Sequence, residues 1–577
     1  MFSFFALFWV LSSFLPFLCL ASRHLAPCVI ISSRIIHWQK GKARLCPRCH
    51  SIVNHKYIGH SRILRTLEGL QLFRYRYYQC TNSRCLFHRK PFRLVHNQVL
   101  KNKHFGKDVW EMMVKDYVEG HTNAKKEAEL LQRHHPKLQI SQRSVLRMWK
   151  IYLALSSEIA DKNTLALIRA QGYILLALDG QRPEAGHKSL WYFLDVASDR
   201  VLHTAYLDVA DTPTLKRILK LIQRKYGVSI KAVVSDHQKS ILTAIQEALP
   251  KAKHQACHFH FLKNLWRSLA AIDTHLQKIL STAVNGLYIN RIAGSRRAVN
   301  SGKKGESIRD FFVPIMQDLK LAVGKECKAF DQWGGVPAYE DIKHAVKELH
   351  LLYEKAHQPW EKTIIQKSIS ALNAALAEAR PFYDRLQCLI PRFDKLRETL
   401  GHAYPTKDAM KTAARQWLAD QKAFLQQHNA DQPDSNRRIK RLTYKTSVEA
   451  IVDQWICLYN SHEGGLFTFM SVEGLPRTNV GMEQDFGAEN RFFRFHYGQL
   501  KVGYNVRVYG GAVLRLLKSY DPEKIGQMFC ELERGGGLKE LDAFQARSRQ
   551  ERKQRNSEKN RDPWAGFKIV ADRLQLC

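Results

Sequence analysis

Two apolar segments that each end in an aspartate constrain the fold of this chain more than any other feature. The segment Tyr173–Leu178 runs into Asp179 and a glycine, and the segment Ile230–Ser235 runs into Asp236. Between them the sequence predicts two further strands joined by a short turn, followed by an amphipathic helix over residues 214–225. This order predicts three strands paired as consecutive hairpins, then a crossover helix and a fourth strand parallel to the first.

In such a sheet the first and fourth strands are neighbours, so their terminal carboxylates meet at one edge. Two carboxylates this close repel each other unless a hard divalent cation lies between them, and Mg²⁺ or Mn²⁺ suits oxygen ligands. Paired ions of this kind catalyse in-line phosphoryl transfer. The topology predicts that residues 170–265 form the first half of an α/β, RNase H-like catalytic core with Asp179 and Asp236 as metal ligands. Asp195, inside the second predicted strand, is expected to be structural or to support a metal ligand.

The chain is strongly basic, which bears on its partner. Its 577 residues carry 90 Lys and Arg against 53 Asp and Glu, a formal net charge of +37. An excess of this size attracts a polyanion, because each phosphate that is neutralised releases a condensed counterion. The charge therefore favours a nucleic-acid partner. An RNA-binding protein of the ribosomal kind and a membrane-surface protein are the alternatives.

Four cysteines near the N-terminus have the spacing of a zinc site. They form two close pairs separated by about thirty residues: Cys46, Cys49, Cys80 and Cys85. Thiolates at this spacing can converge on one tetrahedral Zn²⁺, and such a small unit depends on the metal for much of its stability. Residues 41–95 are therefore predicted to be a structural zinc ribbon, with His50 and His88 as alternative ligands. The chain has 12 cysteines, too few for a disulfide scaffold at this length.

Residues 105–158 change to helical periodicity and are predicted to form a helix-turn-helix. Helices are expected at 106–119 and 123–133, and a third begins after the capping residue Ser141. The candidate DNA contacts are exposed polar side chains near the start of this third helix: Gln142, Arg143 and Arg147. Side chains of these types read base edges in the major groove. An ordinary helical bundle that links two domains is the alternative.

Further along the chain, helical and basic segments complete the predicted organisation. Amphipathic runs over 266–465 predict a large all-α insertion, and residues 466–520 are expected to contain the last helix of the core. The tail 521–577 is basic. Its stretch 546–561 is expected to be disordered, because it holds seven basic residues against two acidic ones.

The N-terminal residues 1–40 begin with a nearly continuous apolar stretch. It has the character of a signal-peptide core or a short membrane helix, but it lacks a basic start and Pro16 interrupts it. A third interpretation, translated sequence upstream of the true start codon, is favoured because the rest of the chain is basic and intracellular in character. A cytoplasmic, nucleoid-associated protein is expected.

Two short motifs beyond the second aspartate resemble those of a known family. Residues 257–260, Cys-His-Phe-His, follow a fifth predicted strand, and residues 477–486, Arg-Thr-Asn-Val-Gly-Met-Glu-Gln-Asp-Phe, lie beyond the helical insertion. Together they resemble Mutator-like and prokaryotic insertion-sequence transposases, and the resemblance covers residues 170–510. It implies a DNA transposase with an Asp-Asp-Glu metal site behind a zinc ribbon and a helix-turn-helix.

The third acid of that site is assigned by the resemblance alone. By position in the motif, Glu483 is the third metal ligand beside Asp179 and Asp236. The two residues before this glutamate depart from the pattern that is more usual in the family. Glu473 and Glu489 are therefore rivals for the same role.

The resemblance also implies auxiliary residues near the site. Three side chains downstream of the glutamate are expected at the scissile DNA strand: Arg491, Arg494 and His496. Cys257 and His260 are expected to make local hydrogen bonds or to contact the DNA end. A zinc site is less expected there, because a lone Cys-x-x-His lacks a second ligand pair.

The expected function is DNA transposition with Mg²⁺ or Mn²⁺ at the catalytic site and structural Zn²⁺ in the ribbon. The expected partner is double-stranded DNA, namely the terminal repeats of the element and the target. A homo-oligomer is expected, since two DNA ends must be joined, and no small-molecule substrate is expected. The alternative is a catalytically inactive, domesticated transposase that acts as a DNA-binding protein.

Overall fold

A computed structural model describes residues 36–38, 45–59, 61–93, 100, 103–120, 122–182, 188–287, 308–324, 330–428, 443–499, 501–525, 528 and 538–561. Of the predicted leader 1–40, only the strand Ile36–Trp38 is described, so the rest of that prediction lies outside the described residues. Within the described ranges, every helix is too short or too polar to cross a membrane.

The chain folds into two compact units that are built from strands and helices. The strands are β1 (Ile36–Trp38), β2 (Val53–Ile58), β3 (Arg62–Thr66), β4 (Gly69–Arg74), β5 (Arg76–Cys80), β6 (Phe92–Arg93), β7 (Tyr173–Gln181), β8 (Ser189–Asp195), β9 (Arg200–Leu207), β10 (Ser229–Ser235) and β11 (Lys253–Ala256). The α-helices are Leu86–Arg89, Lys107–Glu119, Ala124–His134, Gln142–Gln171, Thr212–Tyr226, Lys239–Ala248, His258–Gly286, Ile308–Gly324, Gly335–Lys355, Pro359–Gly401, Lys407–Gln427, Val448–Leu466, Val480–Tyr497, Gly503–Ser519 and Lys539–Arg561. The first unit combines Met1–Ala160 with Glu489–Cys577, and the second is Asp161–Ala488.

A five-stranded sheet organises the second unit. Its strand order is β11-β10-β7-β8-β9, so the first strand in sequence lies beside the fourth. β7 pairs antiparallel with β8 and parallel with β10, and β10 pairs parallel with β11. The predicted adjacency of the first and fourth strands is therefore confirmed.

The alternation of side chains along β7 decides which face each residue occupies. Leu176 and Leu178 join a buried cluster with the helices Thr212–Tyr226 and Lys239–Ala248. Successive side chains in a strand lie on opposite faces, so Asp179 belongs to the other face of the sheet. The Asp179 carboxylate is thus placed on the face opposite the two connecting helices.

The helix that connects β9 to β10 is capped at both ends by residues of its own segment. The carboxylate of Asp211 accepts a hydrogen bond from the Thr214 N–H at 3.0 Å and caps the helix Thr212–Tyr226. Gly227, with φ of 71°, ends the helix in the left-handed conformation that glycine adopts without strain. The chain can therefore turn directly into β10.

Asp195 at the end of β8 is structural, as predicted. It is fully buried, and its Oδ1 accepts from the Leu175 N–H at 2.9 Å. Its Oδ2 accepts from the backbone and hydroxyl of Ser198 at 2.9 and 2.7 Å and from Gln171 Nε2 at 3.1 Å. The carboxylate is saturated with protein donors and ties the β8–β9 turn to the start of β7.

A large helical region follows the sheet in the same unit. The helices from His258–Gly286 through Val448–Leu466 share one hydrophobic core, in which Trp417 and Trp455 are fully buried. The first of these helices begins at His258, immediately after β11, and continues without a break past residue 266, where the insertion was expected to begin.

Asp273 anchors two helices of this region to each other. Its side chain is buried and accepts backbone N–H bonds from Gly334, Gly335 and Val336 at 2.8, 3.0 and 2.9 Å. These donors open the helix Gly335–Lys355, so the carboxylate supplies the acceptors that the first turn lacks.

Two small sheets form the N-terminal part of the first unit. β2, β5 and β6 make one sheet, and β1, β4 and β3 make the other. β3 and β4 pair as a tight antiparallel hairpin, and Gly69 lies at its turn with φ of 108°. Strands β2 to β5 therefore lie between the two cysteine pairs, inside the segment 41–95 that was predicted to be a zinc ribbon.

Three helices follow these sheets, close to the positions expected from the sequence. Lys107–Glu119 and Ala124–His134 are separated by a short connection, and the Asn123 side chain caps the second helix. The third helix, Gln142–Gln171, is longer than expected, because the prediction ended the region at residue 158. The difference arises because no helix-breaking residue occurs before Gly172.

The C-terminal segment contradicts the expectation of disorder over residues 546–561. Lys539–Arg561 is a helix that packs against the helix Gly503–Ser519 within the first unit. Arg507 and Glu551 form a buried ion pair across this contact, with Nε and Oε2 2.8 Å apart. The basic composition concealed a helix that is held by tertiary contacts rather than by an amphipathic pattern of its own.

Candidate functional site

Asp179 lies within β7, which continues to Gln181 and pairs there with β8. The predicted strand end at this aspartate is therefore wrong, but the pairing of β7 with β10 stops two residues before it, at Ala177. The Asp179 Oδ1 accepts a hydrogen bond from the Gly180 N–H at 2.7 Å. Its Oδ2 is buried and has no hydrogen-bond partner among the described residues, and it lies 3.9 Å from Nε2 of His260. A Cβ at position 180 would lie 2.6 Å from the Trp191 ring, so glycine is required beside this carboxylate.

Asp236 follows β10 at the neighbouring strand end. Its Oδ2 accepts from Gln238 Nε2 at 3.0 Å, and its side chain is partly exposed. Asp236 is close enough to Asp179 for its charge to raise the pKa of that carboxyl. The two predicted ligands therefore belong to one electrostatic site.

Glu483 reaches the site from the first turn of the helix Val480–Tyr497. Ligand atoms of Asp179, His260 and Glu483 all lie within 4.8 Å of one another, whereas Asp236, the other predicted ligand, is not a member of this group. Of the two rivals, Glu473 is exposed and Glu489 is fully buried, and neither belongs to this group. The structure thus places the glutamate of the quoted motif, and not its rivals, beside Asp179.

The charges at this site favour bound protons when no metal is present. Burial raises the pKa of Asp179 to about 6; His260 and the Gly180 N–H oppose the shift, and Glu483 and Asp236 add to it. For His260, burial opposes the charged form, but a hydrogen bond with Cys257 and the Asp179 charge together raise its pKa to about 9. The metal-free site therefore combines closely spaced carboxylates with a cationic imidazole.

A divalent cation fits this group of atoms. An ion held at about 2.1 Å places its ligand atoms roughly 3 to 4 Å apart, and the 4.8 Å limit allows this for the carboxylate oxygens of Asp179 and Glu483. The buried, unpartnered Oδ2 of Asp179 is an acceptor for which the described protein supplies no donor, and a cation would satisfy it. The hard carboxylate oxygens are the donor type that Mg²⁺ and Mn²⁺ select.

Cys257 and His260 make the local hydrogen bonds that the sequence predicted. The Cys257 Sγ accepts from the Asn479 N–H at 3.2 Å, and the thiol is hydrogen-bonded to His260. His260 in turn faces Asp179. The partners of these two residues lie on other parts of the chain, so the local sequence does not specify them.

Asn479 lies at the site, although the Arg-Thr-Asn motif that contains it predicts no role for it. It is buried, and its Nδ2 donates to the Leu178 carbonyl at 3.1 Å and to the Val234 carbonyl at 3.5 Å. The signal that could have found it is its place in the Arg-Thr-Asn part of the motif, four residues before Glu483.

The four N-terminal cysteines converge as predicted. Their sulfurs lie within 4.8 Å of one another, with Cys46 and Cys85 3.8 Å apart and Cys49 and Cys80 3.4 Å apart. Four sulfurs at about 2.3 Å from a tetrahedral Zn²⁺ lie about 3.8 Å apart, so the cluster fits this ion. Hydrogen bonds with Ser51 lower the pKa of the Cys49 thiol to about 6, which favours the thiolate that a metal requires.

The two histidines considered as alternative ligands are not members of the cysteine cluster. His88 lies beside it, and its Nδ1 is 2.8 Å from the Cys80 carbonyl oxygen. His50 adopts a positive φ of 57° in the turn after Cys49. Both residues therefore shape the loops around the cluster rather than complete it.

The residues predicted to contact DNA separate into exposed and buried sets. The exposed side chains are Gln142, Arg143, Arg147, Arg491 and Arg494. His496 is buried instead, and its two ring nitrogens lie 2.8 Å and 2.5 Å from the carbonyl oxygens of Phe492 and Tyr117. The expectation that His496 contacts the scissile strand is therefore wrong, because its ring is committed to the packing of the first unit.

The raised pKa of Asp179 predicts how the metal-free protein responds to pH. Because the folded protein holds this proton up to about pH 6, whereas an ordinary aspartate has a pKa of 3.8, the folded state binds more protons between these values. The free energy of unfolding must then fall as the pH rises from about 4 to about 6. Asp179→Asn should remove this dependence and stabilise the magnesium-free protein at pH 7.5 by about 1–3 kcal/mol.

Thermal unfolding of the zinc-loaded protein in magnesium-free buffer, recorded from pH 4 to 8, measures this effect. Asp195→Asn is the matched control, because that aspartate ends the neighbouring strand but is saturated with hydrogen bonds. It should lower the melting temperature. A lower melting temperature for Asp179→Asn as well would contradict a destabilising burial of the Asp179 carboxylate.

Comparison with known proteins gives one family match. Residues 176–406 match the family model DDE_Tnp_ISL3, whose description is transposase. A search of curated proteins finds no match to the chain. The matched segment contains Asp179, Asp236, Cys257 and His260, whereas Glu483 lies beyond it. The segment that carries Asp179 and Asp236 is therefore similar to a transposase family, and this similarity supports an insertion-sequence transposase.

Proposed function

We propose that this protein is a DNA transposase that cleaves and transfers DNA strands at a metal site formed by Asp179, Asp236 and Glu483. The observation that carries the proposal is the convergence of Glu483 on Asp179 from a helix that is distant in sequence. The transposase-family match over the adjoining segment supports it independently.

We further propose that the sheet is the core of an RNase H-like domain. Its order, with three antiparallel hairpin strands and then two parallel strands on the other side of β7, supports this assignment. The ends of β7 and β10 open at one edge, where ligands bind in sheets with crossover connections. The long helical region lies between the second aspartate and the glutamate in sequence, as an insertion would.

The residues of the site have separable tasks in this proposal. Asp179, Asp236 and Glu483 would hold the cations through carboxylate oxygens, and Asp179 must release its proton to do so. Bound there, two Mg²⁺ ions would supply activation of a water or 3′-hydroxyl and stabilisation of the leaving oxygen. His260 holds a proton beside Asp179 and provides a positive charge that attracts the phosphate backbone.

DNA recognition is assigned to the N-terminal part of the first unit. The net charge of +37 supports binding to a polyanion. Exposed Arg143 and Arg147 on the helix Gln142–Gln171 are suited to contact DNA, as a helix-turn-helix would require. The cysteine cluster would hold Zn²⁺ and fix the small sheets beside it. Two protomers are expected on the two ends of the element, since both ends must be cut and joined.

Incubation of the purified chain with duplex DNA that carries the element's ends tests the proposed function. With Mg²⁺ or Mn²⁺ we expect nicks at the element boundary and products joined to target DNA. Both should be absent with Ca²⁺, which takes looser coordination with longer oxygen distances. DNA binding without any nicking in Mg²⁺ or Mn²⁺ would instead support the catalytically inactive alternative.

A further inference from the structure

We propose that Asn479 is a positioning residue of the metal site. Its side-chain amide bridges β7 and β10 where their backbone pairing stops, and its backbone starts the helix that carries Glu483. Asn479 would thereby set the separation of the three carboxylates. The inference rests on the proposed function, because it concerns the same Asp-Asp-Glu site.

The first observation is where the parallel ladder ends. The last registered pair between β10 and β7 is Val234 with Ala177. Beyond it, the Asn479 Nδ2 donates to the Leu178 carbonyl at 3.1 Å and to the Val234 carbonyl at 3.5 Å. An amide nitrogen carries two hydrogens, so one side chain serves both strands. The side chain thus links the two strands by hydrogen bonds beyond their last backbone pair.

The two carbonyls that accept from Asn479 lie close in sequence to the proposed metal ligands. Leu178 directly precedes Asp179, and Val234 lies two residues before Asp236. A shift of either carbonyl would therefore move the adjoining carboxylate almost directly. Few covalent bonds separate the amide contacts from the ligand atoms.

The second observation is that the backbone of Asn479 begins the third ligand's helix. Its carbonyl oxygen accepts from the N–H groups of Met482 and Glu483 at 2.9 and 3.4 Å. Its own N–H donates to the Cys257 Sγ at 3.2 Å, and Cys257 is hydrogen-bonded to His260. A single buried residue is thereby bonded to both aspartate-bearing strands, to the glutamate helix and to the thiol that orients His260.

Arg477, two residues earlier, keeps this segment in place. Its carbonyl oxygen accepts from the His258 N–H at 3.0 Å. Its guanidinium donates to the carbonyls of Leu400 and Gly401 at 3.1 and 3.0 Å, at the C-terminal end of the helix Pro359–Gly401. Cationic side chains are favourable at this end of a helix. The chain on the N-terminal side of Asn479 is thus tied to two further helices.

The orientation of the amide is determined by its surroundings. Two carbonyl oxygens face Nδ2, so the nitrogen must occupy that position and the side-chain oxygen the other one. Aspartate has almost the same shape but would place an oxygen against both carbonyls. Asn479→Asp therefore removes the donated hydrogen bonds but keeps the side-chain volume. It distinguishes a role in linking the two strands from a role in packing alone.

Mn²⁺ titration of the DNA-free protein, followed by electron paramagnetic resonance, provides a readout that does not depend on catalysis. We expect Asn479→Asp and Asn479→Ala to weaken Mn²⁺ binding about 10- to 100-fold, the usual effect of removing a group that orients metal ligands. DNA affinity should stay within threefold of the parent. Asp273→Asn is the matched control, since it removes buried contacts to backbone elsewhere in the same unit. It should lower the melting temperature and leave Mn²⁺ affinity unchanged.

Parent-like Mn²⁺ affinity in Asn479→Asp would overturn the proposal, and Asn479→Ala decides in the same way if the aspartate variant does not fold. A parent protein that binds no Mn²⁺ would overturn the proposed function instead. The positioning role is then decided by hydrogen exchange in magnesium-free protein. There Asn479→Asp should speed exchange at the amides of Met482 and Glu483, which Asp273→Asn should not do. Unchanged exchange at both amides would overturn it.

Discussion

Asp179→Asn, Asp236→Asn and Glu483→Gln should each reduce DNA strand nicking by about a thousandfold or more. Groups that act together in a catalytic site lose most of its rate enhancement when any one is removed. Each variant replaces a charged oxygen ligand with an amide of nearly the same shape, so the fold should persist. Because the candidate DNA contacts lie on other residues, the affinity for the element's ends should change less than threefold.

The measurement is a time course of nicking on labelled duplex DNA, paired with an anisotropy titration of DNA binding for each variant. Glu473→Gln is the control, because Glu473 is an exposed glutamate near the same motif and does not belong to the cluster. It should retain parental activity. Full activity in any of the three variants would show that the corresponding carboxylate has been assigned wrongly.

Loss of the N-terminal metal should unfold the small sheets of the first unit. Cys46→Ser or Cys80→Ser removes a buried sulfur from the cluster, and the remaining ligands cannot complete a tetrahedral Zn²⁺ site. Structural zinc contributes about 10–16 kcal/mol to the folding of small zinc domains. We therefore expect zinc content to fall from one ion per chain to near zero, and DNA affinity to fall at least tenfold at fixed salt.

Zinc analysis, limited proteolysis of residues 45–93 and DNA binding at one salt concentration measure these effects. Cys388→Ser is the matched control, because this free cysteine lies in the helical region away from the cluster. It should leave all three readouts unchanged. A parent protein that is folded and protease-resistant without bound zinc would show that the cysteine cluster has another role.

Local patterns were sufficient to predict much of the core. Apolar strands and an amphipathic helix in the order found here allow few topologies, since crossover connections are right-handed and successive strands tend to pair. The adjacency of β7 and β10 follows from these rules and places Asp179 and Asp236 at one edge. The cysteine pairs were equally readable, because the fixed geometry of a thiolate site restricts ligand spacing.

Predictions failed where tertiary contacts outweigh local preference. The helix Lys539–Arg561 has little amphipathic character, and its stability comes from contacts such as the buried Arg507–Glu551 pair. His496 looked available for DNA on its helix, but both of its ring nitrogens lie against backbone carbonyls. Composition and periodicity do not predict such tertiary contacts.

The sequence by itself determined the strand order, the edge at which two aspartates meet and the composition of the cysteine cluster, because these depend on short-range patterns and chain connectivity. Only the tertiary structure brought Glu483 to Asp179, aligned His260 beside them and inserted the Asn479 amide between β7 and β10. These contacts join residues separated by a long helical region. Their geometry is decided by how that region packs, which no local pattern encodes.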